Sequence, residues 1–380
     1  MSFRRGNLPF FACFSWPSHA HSNLNVTTNK YAHICVVTSV GIKIKRIARA
    51  TQAGAIPMDT FAYGCGIDAN LESCRGIEVR RTLENIDDKK RRCNVMKKIK
   101  RIIRDIPQHW VGDGFPVRSL FSYGGGNEFD PFLLLDYAGP HEFGLDQAKR
   151  GVGEHPHKGF ETVTILYQGE LEHRDSSGGH GTIGPGDVQW MTAASGIVHE
   201  EFHSQRFAKD GGMLEMVQLW LNLPAKDKAS PPKYQDLRDN QLPRVTLPNN
   251  AGTVRVIAGD FMGQTGPANT FTSINAWDLQ LAAQSKAEIH VPDGHTCVLI
   301  VQNGSVTING EAAKTVELVQ FERNGSIVSI QSESISRILV LTGQPIGEPV
   351  VGQGPFVMNT REEIQQAMRD YQAGKMGHLT

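Results

Sequence analysis

Long hydrophobic runs are missing from this 380-residue chain. The longest, VLIV beside Cys297 and ICVV around Cys35, fall far short of the roughly 20 residues that a membrane-spanning helix needs, so no membrane span is expected. Cysteine is scarce and unevenly placed. Five of the six, Cys13, Cys35, Cys65, Cys74 and Cys93, precede residue 96; none forms a CxxC pair, and the remainder of the chain holds Cys297 alone. A body with one thiol excludes a disulfide-stapled secreted fold and suits a reducing compartment, which makes the cytoplasm the expected location. Net charge is also absent, with 39 Lys and Arg against 39 Asp and Glu, but the balance is uneven. Residues 1–95 carry 14 basic against 7 acidic side chains and the rest 25 against 32. An acidic body with no zinc-finger spacing and no RNA-recognition motif excludes a nucleic-acid footprint. The run Gly124 to Gly126 lacks both GxGxxG and GxxxxGK, so it reads as a turn and not as a phosphate cradle.

What is present is strand-like. The length allows two domains, and β-branched and aromatic segments separated by turn signals favour an all-β protein. Residues 1–95 show no sustained period. They read as a leader, as residues ahead of a true start at Met96, or as an accessory segment. From Met96 the expected organisation is a first barrel over 96–235, a second over 236–345, and a tail with a helix over 346–380. The Pro- and Lys-rich stretch PAKDKASPPKYQDL marks the connector. In the second half, Asn303-Gly304 between CVLIV and SVTI signals a short hairpin. Near the end, Thr360 and Glu363 form a capping box; Ile364, Ala367, Met368 and Tyr371 share one helical face, and Gly374 can stop the helix.

The chemistry concentrates between His155 and Glu201. In HPHKGFETVTILYQGELEHRD, two antiparallel strands are expected about the Gly169 turn. Alternate side chains of a strand share a face, so His155 and His157 point the same way, as do His199 and Glu201. Two such pairs closed together by a barrel make a metal site. Glu161 is also in step with His155 and His157, and spacing alone does not choose between it and Glu201. His173, His180 and His203 read as rim or loop residues. His290 and His295 are not spaced as a pair, so the second barrel is expected to bind no metal.

The stretch HPHKGFETVTILYQGELEHRDSSGGHGTIGPGDVQWMTAASGIVHEE, with GPFVMNTREEI near the C-terminus, resembles the pirin family of the cupin superfamily. The resemblance extends from about Arg101 to the end. It implies two tandem jelly-roll-like cupin barrels, with one iron per chain held in the first by His155, His157, His199 and Glu201. It favours Glu201 over Glu161, which is then expected to orient a ligand from outside the coordination sphere. Three imidazoles and one carboxylate leave up to two open positions, which suits Fe(II), with Mn, Co, Ni, Cu or Zn permitted by ligand type. The implied activity is that of a quercetin 2,3-dioxygenase: a flavonol binds through its 3-hydroxyl, Glu201 takes the proton, and reaction with O2 opens the ring with release of carbon monoxide. The alternative that the resemblance carries is a non-enzymatic regulator, in which the redox state of the iron switches binding to a partner protein.

Overall fold

The structure is a computed structural model that describes residues 33–38, 41–46, 95–145 and 148–379. The chain divides into two compact units, Met1–Arg81 and Thr82–Thr380. In the first, strands His33–Thr38 and Gly41–Arg46 pair antiparallel. Apart from these strands and Val95, the segment expected to be a leader lies outside the described residues.

The second unit is all-β apart from short helical turns, a helix at Gln205–Asp210 and the C-terminal helix Arg361–Gln372. Its strands build two barrels, each made of a seven-stranded large sheet and a four-stranded small one. The first large sheet runs in the order Lys233–Leu237, Val188–Thr192, Phe160–Gln168, Gly212–Asn222, Phe132–Phe143, Phe115–Ser122, His109–Val111. Its small sheet runs His180–Ile183, Leu171–Asp175, Ile197–His203, Gly151–His157. No helix among the described residues is long and apolar enough to cross a membrane.

The two large sheets pack face to face: Val163, Ile165, Leu219 and Leu221 share one core with Val298, Ile300, Leu339 and Leu341. Their strands are therefore covered on both faces, which explains apolar runs such as VLIV that show no alternation. The small sheets are one-sided, and there the alternation returns, as in Leu171–Asp175 and Ser285–His290.

Three expectations need correction. The two expected hairpins are corners between sheets. Thr296–Asn303 lies in the second large sheet and Ser305–Ile308 in its small sheet, and the two do not pair. A type I′ turn needs positive φ at both central residues, and here Gly304 has φ 93° while Asn303 remains extended at its strand's end. Gly169 likewise separates Phe160–Gln168 of the first large sheet from Leu171–Asp175 of its small sheet. The third correction concerns the expected first strand of the first barrel. Ile99–Ile103 instead pairs antiparallel with Glu317–Phe321 at the edge of the second large sheet.

The barrels differ inside. The second is filled by an apolar cluster that includes Trp277, Leu279, Leu299, Val301, Ile338 and Val340. Across the first runs one cross-strand row of polar side chains, Gln189, Thr164, Gln218, Asp136 and Ser119, in register over five adjacent strands. Thr164 donates to Gln218 at 2.7 Å, and Ser119 donates to Asp136 at 2.5 Å. Buried polar side chains persist only where partnered. This row faces the small sheet, since Gln189 reaches His173 there.

Candidate metal centre

The site is built on two neighbouring strands of the first small sheet. His155 lies directly opposite His199, and His157 opposite Ile197. Between His199 and Glu201 the register against Gly151–His157 shifts, a bulge of the kind that re-aims side chains beside a site. Three imidazole rings converge, with centroids 4.9 Å apart for His155 and His157, 4.2 Å for His155 and His199, and 4.8 Å for His157 and His199. Their nearest nitrogens lie within 4.8 Å of one another.

The hydrogen bonds fix which nitrogen each ring presents. His155 Nδ1 lies 2.7 Å from the Gly153 carbonyl and His157 Nδ1 lies 3.4 Å from the Pro355 carbonyl; a carbonyl only accepts, so both Nδ1 atoms carry the proton. His199 Nδ1 lies 3.4 Å from Nδ1 of His173, whose Nε2 donates to Asp175 at 3.0 Å. With its proton on Nε2, His173 has a single lone pair at Nδ1, which accepts from the Gln189 amide at 3.0 Å while Nδ1 of His199 stands 3.4 Å from the same atom. His155 and His157 thus keep an Nε2 lone pair for a ligand, and Nε2 of His199 is buried with no protein partner. Burial, followed by the neighbouring His155, lowers the pKa of His157 to about 3. Burial, then His157, His155 and His173, holds His199 well below the usual histidine range. Both rings are neutral at physiological pH, the form that ligates metals.

Two buried atoms here have no partner within the protein, Nε2 of His199 and Oε1 of Glu201. A cation at Nε2 of His199, between the three imidazoles, would satisfy that atom, which is the sense in which the histidines fit a metal. Glu201 Oε1 lies 3.8 Å from His199 Nδ1 and groups with His173 and His199, not with His155 and His157. The four expected ligands are therefore neighbours, but they do not form one closed group.

Glu161 stands apart. The corner at Lys158–Gly159 moves the chain from the small sheet to the large one, so the parity that links His155 to His157 does not carry on to Glu161. It shares a face with Val163 and Ile165, which lie in the core between the barrels, and it accepts from Thr192 at 2.7 Å. It belongs to neither group of potential ligands. His173 and His203, expected at the rim, are both buried. His203 donates to the Gly114 carbonyl at 2.9 Å among Phe115, Phe143 and Phe207, while His180 is exposed as expected. The role of His173 behind His199 had one signal in the sequence, the HxD spacing to Asp175, which parity places on one face. Among the described residues no group of potential ligands lies in the second barrel. There His290 is exposed beside Glu288, and the His295 carbonyl accepts from buried Lys97.

Comparison with known proteins agrees with this architecture. A family model described as Pirin matches residues 114–221, and one described as Pirin C-terminal cupin domain matches residues 276–377. The chain is 53% identical over 281 residues to a Pseudomonas aeruginosa protein with the provisional name quercetin 2,3-dioxygenase, covering 74% of this chain and 98% of that one. It is 38% identical over 286 residues to Pirin-1 of Arabidopsis thaliana, covering 73% and 94%. Among solved structures, a quercetin 2,3-dioxygenase from Acinetobacter baumannii is similar with a TM-score of 0.73 at 48% identity, covering 75% of this chain and all of that one.

Proposed function

The chain belongs to the pirin family, with two cupin domains in tandem, and from that premise we propose that it is a mononuclear iron oxygenase of the quercetin 2,3-dioxygenase type. The observation that carries this reading is the convergence of three imidazoles, each with a free Nε2, beside a buried carboxylate oxygen that has no protein partner. His155, His157, His199 and Glu201 would hold the ion. Bound there, Fe(II) supplies a Lewis-acidic, redox-active centre for the reaction of an organic oxyanion with O2.

The protein's own groups support an aromatic substrate that presents a hydroxyl. Trp220, half-buried, stands beside His157 with its ring centroid 5.1 Å away and is backed by fully buried Phe160 at 4.3 Å, so it offers an aromatic face at the site. Glu201, the carboxylate beside His199, takes the proton of the flavonol 3-hydroxyl. Burial of His157 and His199 keeps water from competing at the lone pairs.

The test is aerobic incubation of iron-loaded protein with quercetin and a small flavonoid panel, following flavonol absorbance, oxygen uptake and carbon monoxide together. Catalytic bleaching with matched O2 consumption and CO release is expected. Protein that holds iron but turns over none of the panel would refute the oxygenase and favour the redox-dependent regulator that binds a partner protein.

A further inference from the structure

The C-terminal segment follows the last strand of the second barrel, Ser336–Gly343, yet its polar contacts lie on the first. Its short hairpin, Val351–Gln353 with Phe356–Met358, meets the chain immediately after His157. The Lys158 amide donates to the Pro355 carbonyl at 3.4 Å, and the Val357 amide donates to the Lys158 carbonyl at 3.0 Å. The same Pro355 carbonyl accepts from His157 Nδ1. Packing at this seam leaves no slack, because a Cβ on Gly159 would lie 2.0 Å from the Val357 carbonyl oxygen.

Two lysines fasten the seam. The buried ammonium of Lys228 donates to Gly159 at 2.6 Å, to Asn222 at 2.7 Å and to Val357 at 3.0 Å, joining the site's corner to the tail. Lys158 pairs with Asp370 of the C-terminal helix at 2.9 Å, with both side chains mostly buried. The helix also covers the strand that bears His199, where Val198 packs with Ile364, Ala367 and Met376. Next to Asp175, which accepts from His173, Ser176 donates to the Met376 carbonyl at 2.6 Å.

We propose that residues 346–379 are a positioning part of the metal centre: the Pro355 carbonyl, held in place by the Lys158–Asp370 and Lys228 bonds, sets the proton and ring orientation of His157 and so the affinity of the site for its metal. The inference rests on the metal-site reading above. A tail that only covered an apolar face would leave affinity indifferent to these polar bonds, whereas a carbonyl that orients a ligating histidine tunes it directly.

The experiment is a Co(II) titration of the full chain, read by visible absorption, on the unaltered protein and on Lys158→Met, Asp370→Asn, Asp370→Glu and Lys228→Met, with the thermal midpoint of each apoprotein measured alongside. Unaltered protein that binds no Co(II) would sink the metal-site reading itself. Given binding, Lys158→Met and Asp370→Asn are expected to weaken it about tenfold and to alter the Co(II) bands, with Asp370→Glu restoring both. Should Lys228→Met not fold, Lys158→Met and Asp370→Asn still decide the matter. Co(II) affinity and spectrum unchanged in Lys158→Met and Asp370→Asn, whatever their thermal midpoints, would overturn the proposal.

Discussion

Thr192 donates its hydroxyl to Glu161 at 2.7 Å on the face of the first large sheet turned away from Gln189 and the histidines. That bond opposes burial only in part, and burial pushes the Glu161 carboxyl up to about 7. Between the ordinary carboxyl range and pH 7 the folded chain keeps a proton that the unfolded chain releases. Stability from this group is therefore full at low pH and lost as pH rises through 7. Glu161→Gln removes the titration, so at pH 8 it should stabilise the protein by up to about 3 kcal/mol, with little change near pH 4.5. Urea midpoints at both pH values check this, and metal content should be unaltered. A shift of the same size at both values, or loss of metal, would contradict the placement of Glu161.

Glu201 is expected to behave in the opposite way. Its Oε1 is buried without a hydrogen-bond partner, and under the proposed ligand set it would be the anionic ligand. Glu201→Gln keeps the shape and removes the charge and the base. Metal analysis of the purified variant should show an empty site and no oxygenation; full occupancy with full turnover would remove Glu201 from the ligand set.

His173 should act through the tautomer of His199. With His173→Phe, Nδ1 of His199 loses the nitrogen that faces it and the proton is free to move to Nε2, which blocks the lone pair; His173→Gln offers an amide oxygen in its place. Nitrogen-15 spectra of the apoproteins report the tautomer directly. The expected result is protonated Nε2 and about 10–100-fold weaker metal binding for the Phe variant, with recovery in the Gln variant. An unchanged His199 spectrum in His173→Phe would show that the pair is merely adjacent.

The second barrel should be metal-free and separately fragile. One ion per chain is expected, unchanged by His295→Ala. Lys97, buried with its ammonium donating to the carbonyls of His295, Glu322 and Arg323, anchors Ile99–Ile103 to that barrel. Lys97→Met removes one hydrogen bond from each of three carbonyls, of which that of Arg323 keeps the Gly294 amide, and should cost on the order of 3 kcal/mol in urea unfolding while metal content stays constant. Loss of metal without loss of stability would reverse the assignment.

What the sequence made legible were features contained within one element. The parity of His155 with His157 and of His199 with Glu201 needs only a strand, and the Thr360–Glu363 capping box needs only one helical turn; it forms with bonds of 3.2 and 2.9 Å. Parity failed at Glu161 because a corner intervenes, and the Asn303-Gly304 hairpin failed because turn residues do not say which sheet receives the next strand. The HxD parity hinted at the His173–Asp175 bond, but the approach of His173 to His199 and of the Pro355 carbonyl to His157 was hidden for a different reason. Both depend on pairings between residues far apart in sequence, which no local period encodes.

The ends of the body are crossed: Ile99–Ile103 completes the sheet of the second barrel, and the tail from Pro355 onward closes on the first. Order of synthesis then matters. With translation at roughly 5–20 residues per second and N-terminal domains folding first, the first barrel emerges without Pro355 and has to wait for the rest of the chain. Ile99–Ile103 waits in turn for Glu317–Phe321, leaving a strand edge unpaired meanwhile. Under the proposed role of Pro355, a chain broken off before that residue would carry the histidines in the right order but lack the carbonyl that aims the second of them.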